Sequence, residues 1–237
     1  MNTFLEKPTQ MHLENIAFYG RTFDEYCAIF NLDPAELEGK RILDTASGSA
    51  SFAAESLHRG YDVTASDPLY DRSAPSLGRI GSMDIESVIA KAREVESVFT
   101  FSYYKSIDEV YKARYKAIRG FLDDYPSGRA LGRYQCASLP DLPFSDNAFD
   151  IVLNGHFLFL YAERLGDAFV FNAVSELLRV SSRSVYLYPL IQLNGQKYPR
   201  LDELVKKVEN NGVTAEFRSL EFEFFKGADT CLILNQP

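Results

Sequence analysis

Apolar residues recur along the chain in two rhythms, and the switches between them predict alternating helices and strands. Thr22-Phe-Asp-Glu25 has the spacing of a capping box, and Phe23, Tyr26, Cys27 and Phe30 follow at i, i+3, i+4 and i+7, the pattern of a short amphipathic helix. Met11 to Tyr19 reads as another helix ahead of it, with Gly20 breaking the two. Asp33-Pro34 turns the chain into the apolar run Ile42-Leu43, after which Phe52, Ala53 and Leu57 mark the inward face of a helix that stops at Gly60. A second strand ends in Asp67. Two extra helices follow, one from about Ser82 to Val95 with Ile85, Val88, Ile89 and Ala92 on one face, the other opened by a second capping box, Ser106-Ile-Asp-Glu109. A third strand lies near Gly132 to Ala137 and a fourth at Phe149 to Asn154. A strongly periodic helix carries Val170, Ala173, Val174, Leu177 and Leu178; a fifth strand spans Ser184 to Pro189, and Leu201, Leu204, Val205 and Val208 mark a helix ending before Gly212. The last two strands fall near Val213 to Phe224 and Thr230 to Asn235, joined by Lys226-Gly227 as a hairpin.

This order predicts an α/β fold: a doubly wound, mostly parallel seven-stranded sheet with an antiparallel last strand. Residues 1–237 form one domain, with 1–38 as an N-terminal helical lid and about 70–130 as a helical cap inserted between the second and third strands. Everything is arranged around Arg41-Ile-Leu-Asp-Thr-Ala-Ser-Gly-Ser-Ala-Ser-Phe52. A short apolar run ends in Asp44 and is followed by residues small enough for a ligand to touch the backbone. Such a strand–turn–helix junction leaves N–H groups unpaired and partially positive, so it favours an anion or polar ligand. At the end of the second strand, the Asp67 carboxylate can accept hydrogen bonds from both hydroxyls of a ribose.

The run Ile42-Leu-Asp-Thr-Ala-Ser-Gly-Ser-Ala50 resembles the first motif of class I S-adenosylmethionine (SAM) dependent methyltransferases, and Leu142-Pro-Phe-Ser-Asp-Asn-Ala-Phe-Asp-Ile-Val-Leu153 resembles their fourth-strand signature. The resemblance implies SAM as cofactor. It assigns Asp44 to the amino acid part of SAM, the turn Ala46, Ser47, Gly48 and Ser49 to the cofactor backbone, and Asp67 to the ribose. It also puts the adenine against Ser138 and Leu139, with a hydroxyl at Ser138 where the family usually has an acid. The family's Gly-x-Gly-x-Gly is reduced to Gly48, flanked by Ala46 and Ala50. Alanine at positive φ costs roughly 1–2 kcal/mol, so negative φ is expected at both alanines and a special conformation only at Gly48. An N-terminal helical pair resembles the lid many methyltransferases place over SAM, which makes Tyr19 and Arg21 candidates to contact the cofactor carboxylate or the substrate.

Ligands in open α/β sheets bind at the carboxyl ends of strands, which places Asn154 and His156 beside the transferred methyl. Imidazole is matched to neutral pH, so His156 is the candidate base or acceptor-orienting group, with Tyr161 or Tyr70 shaping the pocket. Arg114 falls on an otherwise apolar helix face, where it either snorkels outward or reaches an acidic substrate group.

Composition narrows the partners. With 46% hydrophobic and 24% charged residues the chain reads as an ordinary globular protein, and a net charge of −8 argues against duplex nucleic acid. The three cysteines form neither a disulfide framework nor a zinc spacing, so no metal is expected. The first eight residues contain no long apolar run, and Phe149 to Ala162 is interrupted by polar residues, so neither a signal peptide nor a membrane segment is expected and the location reads as cytoplasmic. The expected activity is methyl transfer to a small or medium-sized molecule. Two readings stay open beside it: a non-catalytic SAM-binding or protein-interaction module, and an NAD-dependent oxidoreductase, since Asp67 follows Gly48 at the dinucleotide spacing. Acceptor and oligomeric state are not specified by these patterns.

Overall fold

The computed structural model describes residues 10–237; the first part of the expected lid and the signal-peptide question lie outside the described residues. Seven strands are formed: β1 (Arg41–Thr45), β2 (Asp62–Asp67), β3 (Tyr134–Cys136), β4 (Phe149–Gly155), β5 (Ser181–Tyr188), β6 (Thr214–Ser219) and β7 (Thr230–Asn235). They build one sheet in the order β3-β2-β1-β4-β5-β7-β6, with β7 antiparallel to both neighbours and the other pairings parallel. This is the sheet that the methyltransferase resemblance implies. Because β1 lies between β2 and β4, successive crossovers leave it in opposite directions and open a crevice at the strands' carboxyl ends.

Side chains along a strand alternate between faces, and the core divides accordingly. Ile42, Ile151 and Leu153 pack on one side with α1 (Phe23–Phe30), α2 (Phe52–His58), α3 (Ala74–Glu94) and α4 (Ile107–Ala130), whereas Leu43 and Val152 pack on the other with α6 (Asp167–Val180) and α7 (Leu201–Glu209). A four-residue helix, α5 (Ala162–Leu165), follows β4. Helix α1 is set by the expected capping box: Thr22 Oγ1 accepts from Glu25 N, and the Glu25 carboxylate accepts from Thr22 N. The second box is half made. Ser106 Oγ accepts from Glu109 N, but the Glu109 carboxylate accepts from Lys105 N instead.

Four expectations are corrected. Residues 10–22 are not helical; they form an extended strap whose backbone groups bond elsewhere, Phe18 N to Asp84 Oδ2 (2.7 Å) and Phe18 O from Ser49 Oγ (3.4 Å). Helix α3 begins at Ala74, well before Ser82: Pro75 suits a first turn, and the bare Gly81 leaves room for Ile118 of α4, which an ideal Cβ would meet at 2.3 Å. Leu57 is exposed, and Ser56 takes the inward position. Strand β6 stops at Ser219, so the last two strands are joined by a loop, residues 220–229, rather than a tight Lys-Gly turn. Its aromatics are drawn to the linker between α3 and α4, where Phe99 and Phe224 stack with centroids 4.5 Å apart and Thr100 N donates to Phe224 O at 2.7 Å.

Candidate functional site

The turn after β1 is tied down bond by bond. Ser47 N donates to Ser66 O (3.1 Å), Gly48 N to Asp67 Oδ2 (3.1 Å) and Ser51 N to Arg21 O (3.0 Å). Tyr70, fully buried, donates its hydroxyl to Gly48 O (2.7 Å) and meets Ser47 Oγ at 3.1 Å. To reach Ser66 the chain must reverse at once, and φ is +52° at Ala46 and +56° at Gly48, while Ala50 stays out of the left-handed region. The expectation for Ala46 is therefore overturned: the methyl is tolerated at a strained position because the surrounding bonds over-determine the turn.

The strap lies directly on this turn. A Cβ on Gly20 would sit 2.0 Å from the Ser49 carbonyl carbon, and one on Gly48 3.1 Å from Tyr19 N. Gly20 thus acts as a point of close backbone approach, not as a helix breaker.

Two acids stand at the strand ends. Asp44 is 1% exposed; Oδ2 accepts from Tyr26 OH (2.8 Å) and Oδ1 has no partner among the described residues. Burial pushes its carboxyl up to about 8. Asp67 accepts from Gly48 N and Leu69 N, and burial outweighs these bonds to raise it to about 6.

Beyond the strand ends lies a cavity of about 370 Å³. One end is bounded by Thr45, Ala46, Ser66, Asp67, Ser138 and Leu139, the other by the strap, by Val88, Ile89 and Ala92 of α3, by Phe99 and Tyr104 of the linker, and by Phe222, Phe224 and Phe225 of the 220–229 loop. His156, Tyr161, Tyr188, Arg21 and Arg114 complete its wall.

Arg114 is 1% exposed and neither snorkels nor stands free. It pairs with Glu25 of α1, and donates to Gly20 O (2.7 Å) and to the Tyr104 hydroxyl (2.9 Å), which itself donates to Glu25. Burial and the nearby Arg21 charge bring it down to about 9, so it stays charged at neutral pH. Arg21 differs. Among the described residues its guanidinium makes no hydrogen bond or ion pair; it lies 5.8 Å from the Tyr19 ring centre. His156 holds φ at +57°, donates its backbone N–H to Tyr188 O (2.6 Å) and sets its ring edge-on to Tyr188. Its imidazole makes no hydrogen bond among the described residues, with Nδ1 sealed from solvent. Burial, then the charges of Arg21 and Arg114, hold it well below the ordinary histidine range, so it is neutral at pH 7.

Of the residues expected from sequence, Tyr19, Arg21, Ala46, Asp67, Ser138, Leu139 and His156 line this cavity, together with Tyr161. Ser47, Gly48 and Ser49 instead lie under the strap. Asn154 is spent within the fold, donating to Thr45 Oγ1 (3.0 Å) and accepting from Leu158 N (3.3 Å). Tyr70 braces the turn and does not line the cavity. The aromatics of residues 220–225 were missed, because they sit in what reads as a strand and hairpin. Their alternation as Phe222, Phe224 and Phe225 beside Lys226-Gly227 was the available signal. Among the described residues no helix is long and apolar enough to cross a membrane, and no group of three His, Cys, Asp or Glu residues is arranged for a metal.

No protein-family model matches the chain. It is 32% identical over 227 residues to the uncharacterized protein MJ0045 of Methanocaldococcus jannaschii, covering 95% of this chain and 99% of that one. Among solved structures it is similar to magnesium protoporphyrin IX methyltransferase of Synechocystis with bound S-adenosylhomocysteine, at TM-score 0.46 and 16% identity over 91% of this chain and 81% of that one. It is also similar to an O-methyltransferase family protein of Burkholderia thailandensis, at TM-score 0.48 and 12% identity over 90% of this chain and 55% of that one. With 32% identity to the archaeal protein over 95% of its length, the chain belongs to the family of MJ0045.

Proposed function

We propose that this protein is a SAM-dependent methyltransferase acting on a small or medium-sized acceptor. The observation that carries this reading is the joining, in one cavity, of the Ala46 turn and the Asp67 carboxylate to a chamber walled by aromatic side chains. The residues present fit the cofactor. Asp67 stands at the tip of β2, where its oxygens retain lone pairs for ribose hydroxyls. Ser138 and Leu139 offer a hydroxyl and a backbone N–H at the adenine position, and Ala46 is the part of the turn that reaches the cavity, where the amino acid part would lie. Asp44 does not reach the cavity wall; it stands behind Thr45, and its partnerless Oδ1 is an orphan acceptor suited to an ammonium group. Asn154 acts indirectly, fixing Thr45 and the start of the loop that carries His156.

Bound there, SAM supplies a methyl group already activated by its sulfonium. The protein's part is therefore alignment and exclusion of water. The aromatic rings suit a cationic donor through their faces. His156, neutral and unbonded, can take a proton from the acceptor. The sheet counts against the dinucleotide reading, since β7 is antiparallel, and the aromatic chamber counts against a module without an acceptor channel.

The test is a thermal-shift comparison of SAM, S-adenosylhomocysteine, NAD and no ligand. A ligand at a hundred times its dissociation constant adds about 2.7 kcal/mol, or roughly 5–11 °C for a chain of this size. Shifts with both adenosyl compounds and none with NAD are expected; a shift with NAD alone would overturn the reading.

A further inference from the structure

The acceptor end of the cavity is apolar except at a few atoms, and those atoms specify a chemistry. Phe99, Tyr104, Phe222 and Phe224 set ring faces and edges around it, which suits a flat, conjugated molecule. Against these walls stand the Arg21 guanidinium, all donor and without a described partner, and the neutral His156 imidazole, whose unprotonated nitrogen is an acceptor; Arg114 keeps one further free donor, Nε. A hydroxyl has one proton to give and lone pairs to receive, so it matches both. An amine on the same ring has a single lone pair that is delocalised into the ring, so it accepts only weakly from the guanidinium; as an ammonium it is repelled by it.

Charge makes the same selection. Glu25 compensates Arg114, but no described carboxylate pairs with Arg21, so the chamber holds an excess positive charge. That charge reaches Tyr19, Tyr104, Tyr161 and Tyr188 as well as His156, all on the chamber wall, and also Tyr26 behind it. An unpaired cation in an apolar pocket favours an anion beside it. We propose that the acceptor is a conjugated ring compound bearing an acidic hydroxyl, of the phenol or enol class, with its oxygen held by Arg21 and its proton passed to His156. In that transfer the O–H bond breaks, the electron pair stays on oxygen as the anion that Arg21 stabilises, and an N–H bond forms on the imidazole. The proposal rests on the methyltransferase reading for its purpose, but the binding preference is a property of the chamber itself.

The experiment is calorimetric titration of the full chain with 2-naphthol, 2-naphthylamine and naphthalene, each with and without saturating S-adenosylhomocysteine, followed in parallel by the absorbance of the naphtholate. Expected is binding of 2-naphthol about tenfold or more tighter than of the other two, with the bound naphthol ionising at lower pH than in buffer. Arg21→Gln is expected to remove most of that preference and the absorbance change while leaving affinity for S-adenosylhomocysteine within about threefold, and Arg21→Lys to restore part of it, because the charge returns without the guanidinium fork. Equal affinity for the three compounds would overturn the proposal. So would an Arg21→Gln protein that loses S-adenosylhomocysteine yet keeps the naphthol preference, which would make Arg21 a ligand of the cofactor carboxylate. A chain that refuses S-adenosylhomocysteine but still prefers naphthol keeps the hydroxyl site and loses only the methyltransferase reading.

Discussion

Ala46 holds φ at +52° two residues before Gly48 at +56°, so two neighbouring positions ask for the same backbone shape and only one carries the residue that adopts it freely. Ala46→Gly should relieve about 1–2 kcal/mol of strain and give back roughly 0.5–1 kcal/mol through the more flexible unfolded chain. The net expectation is a melting temperature unchanged or raised by up to about 6 °C. Gly48→Ala should lower it, since the new Cβ is strained and meets Tyr19 N at 3.1 Å. If both variants lose stability equally, the turn is not strained at Ala46. The motif's position was legible because a strand, an acid and a run of small residues are adjacent in sequence. The φ at Ala46 was not, because the Ser66 and Asp67 partners that impose it lie on another strand.

Asp44 adds a pH signature at the same scale. An acid whose pKa is raised on folding, here to about 8, keeps a proton that the unfolded chain has released, so stability falls as pH rises from the unfolded value of about 3.9 toward 8. The loss is at most about 1.4 kcal/mol per pH unit in that window. Asp67, raised to about 6, acts in the same direction over a narrower range. Asp44→Asn should melt higher than the parent protein at pH 8, with the gap closing toward pH 4, and should bind S-adenosylhomocysteine more weakly. A gap that does not change with pH would remove Asp44 as the titrating group.

At the scale of elements, α1 and α4 are coupled through one buried pair. Glu25 closes the α1 capping box with one oxygen and meets Arg114 and Tyr104 with the other. Removing one partner of a buried pair costs about 3–5 kcal/mol, because the other is left uncompensated. Glu25→Gln keeps a side chain able to complete the box and so isolates the charge. Urea unfolding should show this loss for Glu25→Gln and for Arg114→Met, while the double variant loses well under the sum. Additivity within about 0.5 kcal/mol would mean the two do not act as a unit. The capping box itself was readable at Thr22 and Glu25, as was the apolar helical face around Arg114. Their meeting was not, since Glu25 and Arg114 are far apart in sequence, and the same holds for residues 10–22, whose apolar spacing resembles a helix but whose backbone partners are Asp84 and Ser49.

The whole molecule closes its cavity by spanning the sheet. The insertion leaves after β2, one strand from an edge of the sheet, and reaches the 220–229 loop beside β6 at the other edge, so it passes over the strand ends where the ligands bind. The sheet and its antiparallel β7 were legible in the alternation of elements; this bridge was not, because it joins two aromatic segments that are each ambiguous alone. It is a narrow seam: Thr100 N donates to Phe224 O (2.7 Å), Lys226 N to Val98 O (3.0 Å), and Phe99 packs on Phe224 and Phe225. Few backbone bonds hold it compared with the β1–β4 ladder, so it should open locally while the sheet stays intact. Ligand that fills the chamber binds only the closed form and shifts that opening by mass action. Hydrogen exchange at the Thr100 and Lys226 amides should therefore be faster than at Leu153 in β4 in the free protein, and should slow by about tenfold or more when S-adenosylhomocysteine and 2-naphthol are both present. Equal exchange at all three sites in the free protein would instead mean that the seam opens only with global unfolding, and the seam would not be the way in.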